Sequence, residues 1–283
     1  MPVRAVDVWL AGAAVAVGLM PAVAQAVDSA AGGPGFELRV ESELFADGGV
    51  TPVARSLTLF TGDVAWDFLE LADGQAADPP AGTRLAEIAL HDPARERVVV
   101  IDPKRSVKTQ VETIRLERLG VSLAKWARGS DDRLVRWAGG PDFGDGISER
   151  DDGLELVGPR VRYAIAYDAA PSTEAAATYR RFADTAILLK ALLHPGGLPP
   201  HPRLALNRRI EAAGAIPAEV SLEIDPKLAL VGSRSSRLRS VHKVHPRLLN
   251  ADLKRIADAE ARVAAATAVD VAAFAEQGQG VEP

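Results

Sequence analysis

A serine one helical turn ahead of a lysine is the shortest arrangement in this chain that could do chemistry. It occurs at Ser122-Leu123-Ala124-Lys125 and again at Ser240-Val241-His242-Lys243. On a helix such a lysine lies beside the hydroxyl and can take its proton, which arms the serine for acyl transfer. The companion elements are missing. Ser130-Asp131-Asp132 is not S-D-N and lies too close, and Lys108-Thr109-Gln110 lacks a final glycine and precedes the serine. The second copy falls on an expected strand, where residues three apart face opposite ways. Both read as chance matches to a short pattern.

Histidines and carboxylates are the other chemical candidates. The five histidines are His91, His194, His201, His242 and His245. His242 and His245 form the one close pair, but on a strand they point apart, so shared metal ligation needs a bend at Pro246. His242 is in phase with Leu238 and Val244 and reads as a hydrogen-bonded core histidine. His91 beside Asp92 reads as a turn pair. Asp142-Phe143-Gly144 spells the kinase magnesium triplet without its partners and reads as a turn. Asp142, Asp145, Glu149, Asp151 and Asp152 could gather calcium, but their spacing departs from the D-x-D-x-D-G loop, so a solvated loop is expected. No metal and no cofactor is expected. Arg237, Arg239 and Lys243 share a strand phase and read as a solvated face balanced by Glu37, Glu41 and Glu43.

The elements that must position these groups follow from periodicity. In Phe36–Leu44, apolar Phe36, Leu38, Val40 and Leu44 alternate with charged Glu37, Arg39, Glu41 and Glu43, the mark of a strand with one buried face. Ser56–Phe60 and Val64–Leu71 form a hairpin. Leu85–Leu90 and Arg97–Ile101 flank an Asp92-Pro93 corner, and a second corner follows at Asp102-Pro103. RVVVI is apolar on both faces and is expected to be covered on each side. Further strands are expected at 154–158, 161–168, 219–224 and 237–244.

Helices are expected at 113–128 with Thr113 as N-cap, at 173–193 capped by Ser172 or Thr173, at 203–213, and as one long helix over 251–276, with a further short helix at 133–137. The expected fold is α+β: a curved antiparallel, half-barrel-like meander of about nine strands against about four helices. Residues 27–276 are read as one globular domain, with a frayed tail over 277–283.

The address comes from the N-terminus. Arg4, the charge-free run Val8–Met20, Pro21 and the exit Ala24-Gln25-Ala26 form a secretory signal-peptide pattern with cleavage after Ala26. The rival is an uncleaved membrane anchor, since the charge-free run to Ala26 approaches the roughly 20 residues that span a bilayer. The chain has no cysteine. Lipidation at an N-terminal cysteine, disulfides and thiolate metal sites are thereby excluded. A mature chain of this size can instead hold together by its core, burying about 70–75% of its unfolded surface. A net charge of −5 and 5% aromatics argue against nucleic acid as a partner. Membrane contact is expected to be peripheral at most, and the oligomeric state is left open.

The segment DPARERVVVIDPKRSVKT, followed by a helix, resembles the strand–turn–strand pattern of bacterial lipoprotein-carrier and lipoprotein-sorting proteins over roughly Arg84–Arg128. That resemblance implies an incomplete barrel wrapped around helices that holds acyl chains between the layers. It transfers no functional residue position by position. The expected function is an extracytoplasmic binding protein whose partner is a lipid or acylated ligand, with Trp66, Phe68, Tyr163 and Tyr167 as pocket lining. The alternatives are an envelope structural or interaction protein with a solid core, and a hydrolase whose residues converge only in space.

Overall fold

The computed structural model describes residues 36–72, 82–141, 143–150, 152–225 and 236–278. The leader and lead-in to Gly35, the loop over 73–81, Asp142 and Asp151 of the acidic loop, and the tail from 279 lie outside the described residues. Alternation builds the first half. β1 (Glu37–Ala46), β2 (Ala54–Thr61), β3 (Val64–Ala72), β4 (Thr83–Asp92), β5 (Arg97–Asp102) and β6 (Val107–Glu112) pair in sequence as an antiparallel meander. The Asp92-Pro93 corner is a single 3-10 turn in which the Asp92 carboxylate accepts from the Arg95 backbone N–H and from its guanidinium.

Helices α1 (Thr113–Arg128) and α2 (Arg133–Ala138) lead to a second antiparallel set. It consists of β7 (Ile147–Arg150), β8 (Gly153–Gly158) and β9 (Val161–Ala169), then β10 (Ala215–Ile224) and β11 (Ser236–His245). Between β9 and β10 the chain leaves the sheet to form α3 (Thr173–Leu193) and α4 (His201–Ala212). Ser172 caps α3 by accepting from the Ala175 N–H at 3.0 Å. Antiparallel pairing of β1 with β11 joins the two sets into one unclosed sheet.

Among the described residues the sheet has twelve strands and six helices pack around it, against about nine and four expected. β6 and β7 are short pieces hidden beside a helix start and in the acidic loop. The expected long C-terminal helix is two helices, α5 (Asn250–Ala265) and α6 (Val271–Gly278), separated by β12 (Thr267–Ala268). The chain turns extended at Ala266. The Thr267 and Val269 N–H groups then bond the Ser106 and Lys108 carbonyls of the β6 edge. Thr267 and Val269 are β-branched and weak helix formers. Asp270 restarts the helix by accepting from the Ala273 N–H at 2.8 Å. The residue flanking α1 is Glu112, one position before the expected Thr113, with no side-chain cap.

Cross-strand partners share a face, so the registers sort the side chains of the whole sheet. One face carries Phe60, Ala65, Val98 and Val100, packed under Tyr179, Leu188 and Leu189 of α3 and Leu116 of α1. Further along that face, Leu154, Leu156, Tyr163 and Ile165 pack against Leu206 and Ile210 of α4. The other face carries Trp66, Phe68, Ile88 and Val99 beneath Ile256 and Ala259 of α5. RVVVI is thus covered on both sides, as its composition requires. Arg255 lies over the Phe68 ring at 5.2 Å and pairs with Glu70, while Asp252 pairs with Arg39 at 3.1 Å. The remaining part of this second face is charged: Arg237 pairs with Glu223, and Arg239 with Glu219.

Gly153 marks the tightest strand approach. A Cβ there would lie 2.1 Å from the Ile165 carbonyl oxygen in the neighbouring strand. Gly153→Ala is expected to lower the unfolding free energy by about 3 kcal/mol. Urea denaturation checks this, and an unchanged midpoint contradicts the close approach.

Candidate functional site

The face under α1, α3 and α4 carries a cleft where charged and apolar groups converge. Its volume is about 420 Å³, and it lies between the β4–β5 corner, the start of α1 and the middle of α3. Phe60, Ala65, Val98, Leu116 and Leu188 form its apolar walls, and Leu204 of α4 reaches in. The strand alternation aims the first three at the helices. Gly120 lets α1 approach α3 closely, since a Cβ there would stand 3.2 Å from the Leu188 methyl.

The rim is ionic. Arg181 donates to Asp63 at 2.7 Å, and Arg180 holds Asp184 at 2.8 Å and Glu211 at 2.5 Å. Asn207 donates to the other Asp184 oxygen at 2.7 Å. Burial, the largest influence, pushes the Asp184 carboxyl above its ordinary range, and Asn207 and Arg180 oppose it. Arg181 and Asp63 are both exposed, and such pairs are worth about 0–1 kcal/mol. An incoming anion could therefore take the place of Asp63 at little cost.

His91 stands in the cleft wall. Its ring meets Phe182 edge-on at 4.7 Å, and its buried Nδ1 has no hydrogen-bond partner among the described residues. Burial, aided by the charge of Lys190, pulls its pKa down to about 3. Neighbouring Asp92 is committed to the turn and to Arg95 and Arg97, so the two do not act as an acid–base pair.

A second polar centre lies under the helices where β1 meets β11. Ser42 Oγ and His242 Nδ1 are 2.8 Å apart, and the buried His242 Nε2 has no partner among the described residues. Burial, then the charge of Arg203, lowers the His242 pKa to about 4. Arg203 itself has a buried Nη1 without a hydrogen-bond partner among the described residues. Burial depresses its pKa, while Tyr179, Tyr163 and Asp184 act to raise it. Serine beside histidine is the start of a nucleophile, but no carboxylate orients the far ring nitrogen. The two strands that flank β1 hold its backbone in paired register around Ser42, so no free N–H pair there is poised for an oxyanion.

The structure separates the residues expected to line one pocket. Trp66 and Phe68 are buried beneath α5 on one face of the sheet. Tyr163 and Tyr167 belong to the α4 cluster on the opposite face. Phase within a strand is readable from sequence, but which face it joins depends on pairings across a hundred residues. His242 points inward, as its phase implied, and His245 is exposed on the other side. Ser122 and Lys125 are both exposed on α1, away from any cavity wall. Ser240 and Lys243 are on β11, three residues apart and facing opposite ways. Among the described residues no three His, Asp or Glu side chains are placed to hold a metal ion. Among them, no helix is long and apolar enough to cross a membrane. Sequence reasoning missed Ser42, Arg203 and Phe182, whose partners lie far along the chain.

Neither protein-family models nor curated proteins yield a match to this chain.

Half-buried Asp67 adds a pH signature. Thr58 donates to it at 2.8 Å. Burial, the leading cause, raises its pKa to about 6 against the opposing Thr58 bond and Lys190. A carboxyl raised in the fold stabilises below about pH 4, and that contribution is lost as pH climbs to about 6. His91 and His242 run the other way. Their contribution is present above about pH 6.5 and lost as pH falls toward their depressed values. Two histidines against one carboxyl leave a net loss of stability on acidification from about pH 7 to pH 4. Asp67→Asn is expected to stabilise at about pH 8 by about 1–2 kcal/mol, with no gain at about pH 4. Urea unfolding at both pH values checks this, and an equal gain at both contradicts the raised pKa.

Proposed function

We propose that the protein is an extracytoplasmic binding protein for one apolar or lipid-like molecule with an acidic head. In this reading the unclosed sheet is a curved, half-barrel wall against which the helices hold the ligand. The observation that carries it is the cleft of about 420 Å³ between sheet and helices, within the range of about 300–1,000 Å³ usual for small-ligand sites. Its floor is apolar and its rim offers Arg181, in an exposed pair, to a carboxylate or phosphate. The signal-peptide pattern of residues 1–26 supports the extracytoplasmic address.

The scaffold reading, a structural or interaction protein, draws on the four filled apolar clusters on the two sheet faces. The hydrolase reading has less support, because the Ser42–His242 pair lacks an acid and an oxyanion site.

Titration with a fluorescent long-chain fatty acid separates these. Saturable one-to-one binding is expected. Thr185→Trp, which fills the cleft, weakens it by about tenfold or more, and Arg181→Gln weakens it by about threefold, the worth of one exposed ion pair. Absence of saturable binding, or full binding by Thr185→Trp, overturns the carrier reading. Mass spectrometry of the protein from its native envelope is expected to find Val27 as the first residue. An intact Met1 in the membrane fraction overturns cleavage.

A further inference from the structure

We propose that the outward face of α1 docks on an anionic lipid bilayer. α1 turns Leu116, Gly120 and Ala127 to the core. Opposite them, Ile114 and Val121 are 43% and 71% exposed, and Trp126 on the shoulder of that face is 60% exposed. Helical spacing puts Ile114, Arg118, Val121 and Lys125 on one line. Arg115 and Arg128 flank it and are exposed, as are Arg118 and Lys125. None of these four cations forms an ion pair among the described residues. Glu117 is the acid on this face. In a chain of net charge −5, this helix reverses the local sign.

A purely solvated face would explain the cations but not the exposed isoleucine, valine and tryptophan between them. Apolar side chains set among lysine and arginine are the composition of a helix that lies in a membrane interface. Tryptophan is enriched at headgroup level, where its ring is half in oil and its N–H remains wet. Anionic lipid complements the cations and buries the apolar line in one contact. A second copy of the chain fits poorly, because a twofold contact would set cation against cation. The same helix walls the cleft through Thr113, Leu116 and Glu117 on its other side, so docking sets the cleft behind α1, about 10 Å or one helix diameter from the lipid surface. Docking stands whether or not the cleft holds a ligand, and transfer of a ligand from the bilayer rests on the function proposed above.

The test is cosedimentation of the full chain with vesicles of phosphatidylglycerol and phosphatidylcholine in equal parts, and with phosphatidylcholine alone. The leader is common to all variants, so the comparison between variants isolates α1. The protein is expected to partition about tenfold better onto the anionic vesicles, and added salt removes the difference. Ile114→Ser with Val121→Ser and Trp126→Ser, and separately Arg118→Gln with Lys125→Gln, each lower that partitioning by about tenfold. All these residues are exposed, so thermal unfolding stays unchanged, and fatty-acid binding is retained if the cleft reading holds. Partitioning of either variant equal to the native chain overturns docking, as does failure of the native chain to prefer anionic vesicles. Self-association through these residues, seen by sedimentation equilibrium without vesicle binding, also overturns it.

Discussion

The pairing of β1 with β11 is the contact on which the rest of the molecule depends. Eight positions pair there, from Arg39 opposite His245 to Ala46 opposite Leu238. They join two antiparallel sets, and the residues paired across the seam lie about two hundred positions apart in the chain. Closing so long a loop costs conformational entropy before any contact is gained. The seam must therefore be held by more than backbone bonds. Ser42 and His242 meet across it on one side, and Arg39 meets Asp252 of α5 on the other. A slip of one residue would put Val40, Val244 and His242 on the wrong face and break both contacts.

Because the seam fixes which faces coincide, it also decides where a cleft can form. α3 departs from the second set, after β9, yet its residues pack on Phe60, Ala65 and Val98 of the first. The helix crosses the seam. The cleft walls thus come from both halves of the chain, with β4, β5 and α1 on one side and α3 and α4 on the other. The buried polar groups follow the same logic. Asp67, His91 and His242 alternate inward on different strands and share the burial that shifts their protonation.

Much of the first half was legible because each signal is local. The alternation from Phe36 to Val40, the Asp92-Pro93 corner and a cap at Ser172 or Thr173 depend on a few neighbouring residues, and the structure shows the first two and settles the cap on Ser172. The failures are where distant contacts override local preference. The alanine-rich stretch from 251 to 276 has helix propensity throughout, but the open edge of β6 captures Thr267 and Ala268 and splits it. Val107, Thr109 and Val111 alternate correctly in β6, but the run is short and merges into a helix. The site was the least legible part. His91 with Phe182, Ser42 with His242 and Arg203 with its two tyrosines are juxtaposed by topology alone, and no spacing announces them.

An open sheet of twelve strands has two borders, and both are poor templates. β7 is four residues long and shows Ser148, Glu149 and Arg150 to solvent. At the other end, β12 contributes two residues in parallel register, and Lys108 Nζ is tied to the Val263 carbonyl at 2.5 Å. An edge that is short, charged or occupied offers no continuous row of unpaired donors and acceptors for another chain to extend. The broken C-terminal helix thus acquires a meaning beyond its own packing. By ending where it does, it gives up two residues of helix to stopper the sheet, and so spares an unclosed β architecture from growing into its neighbours.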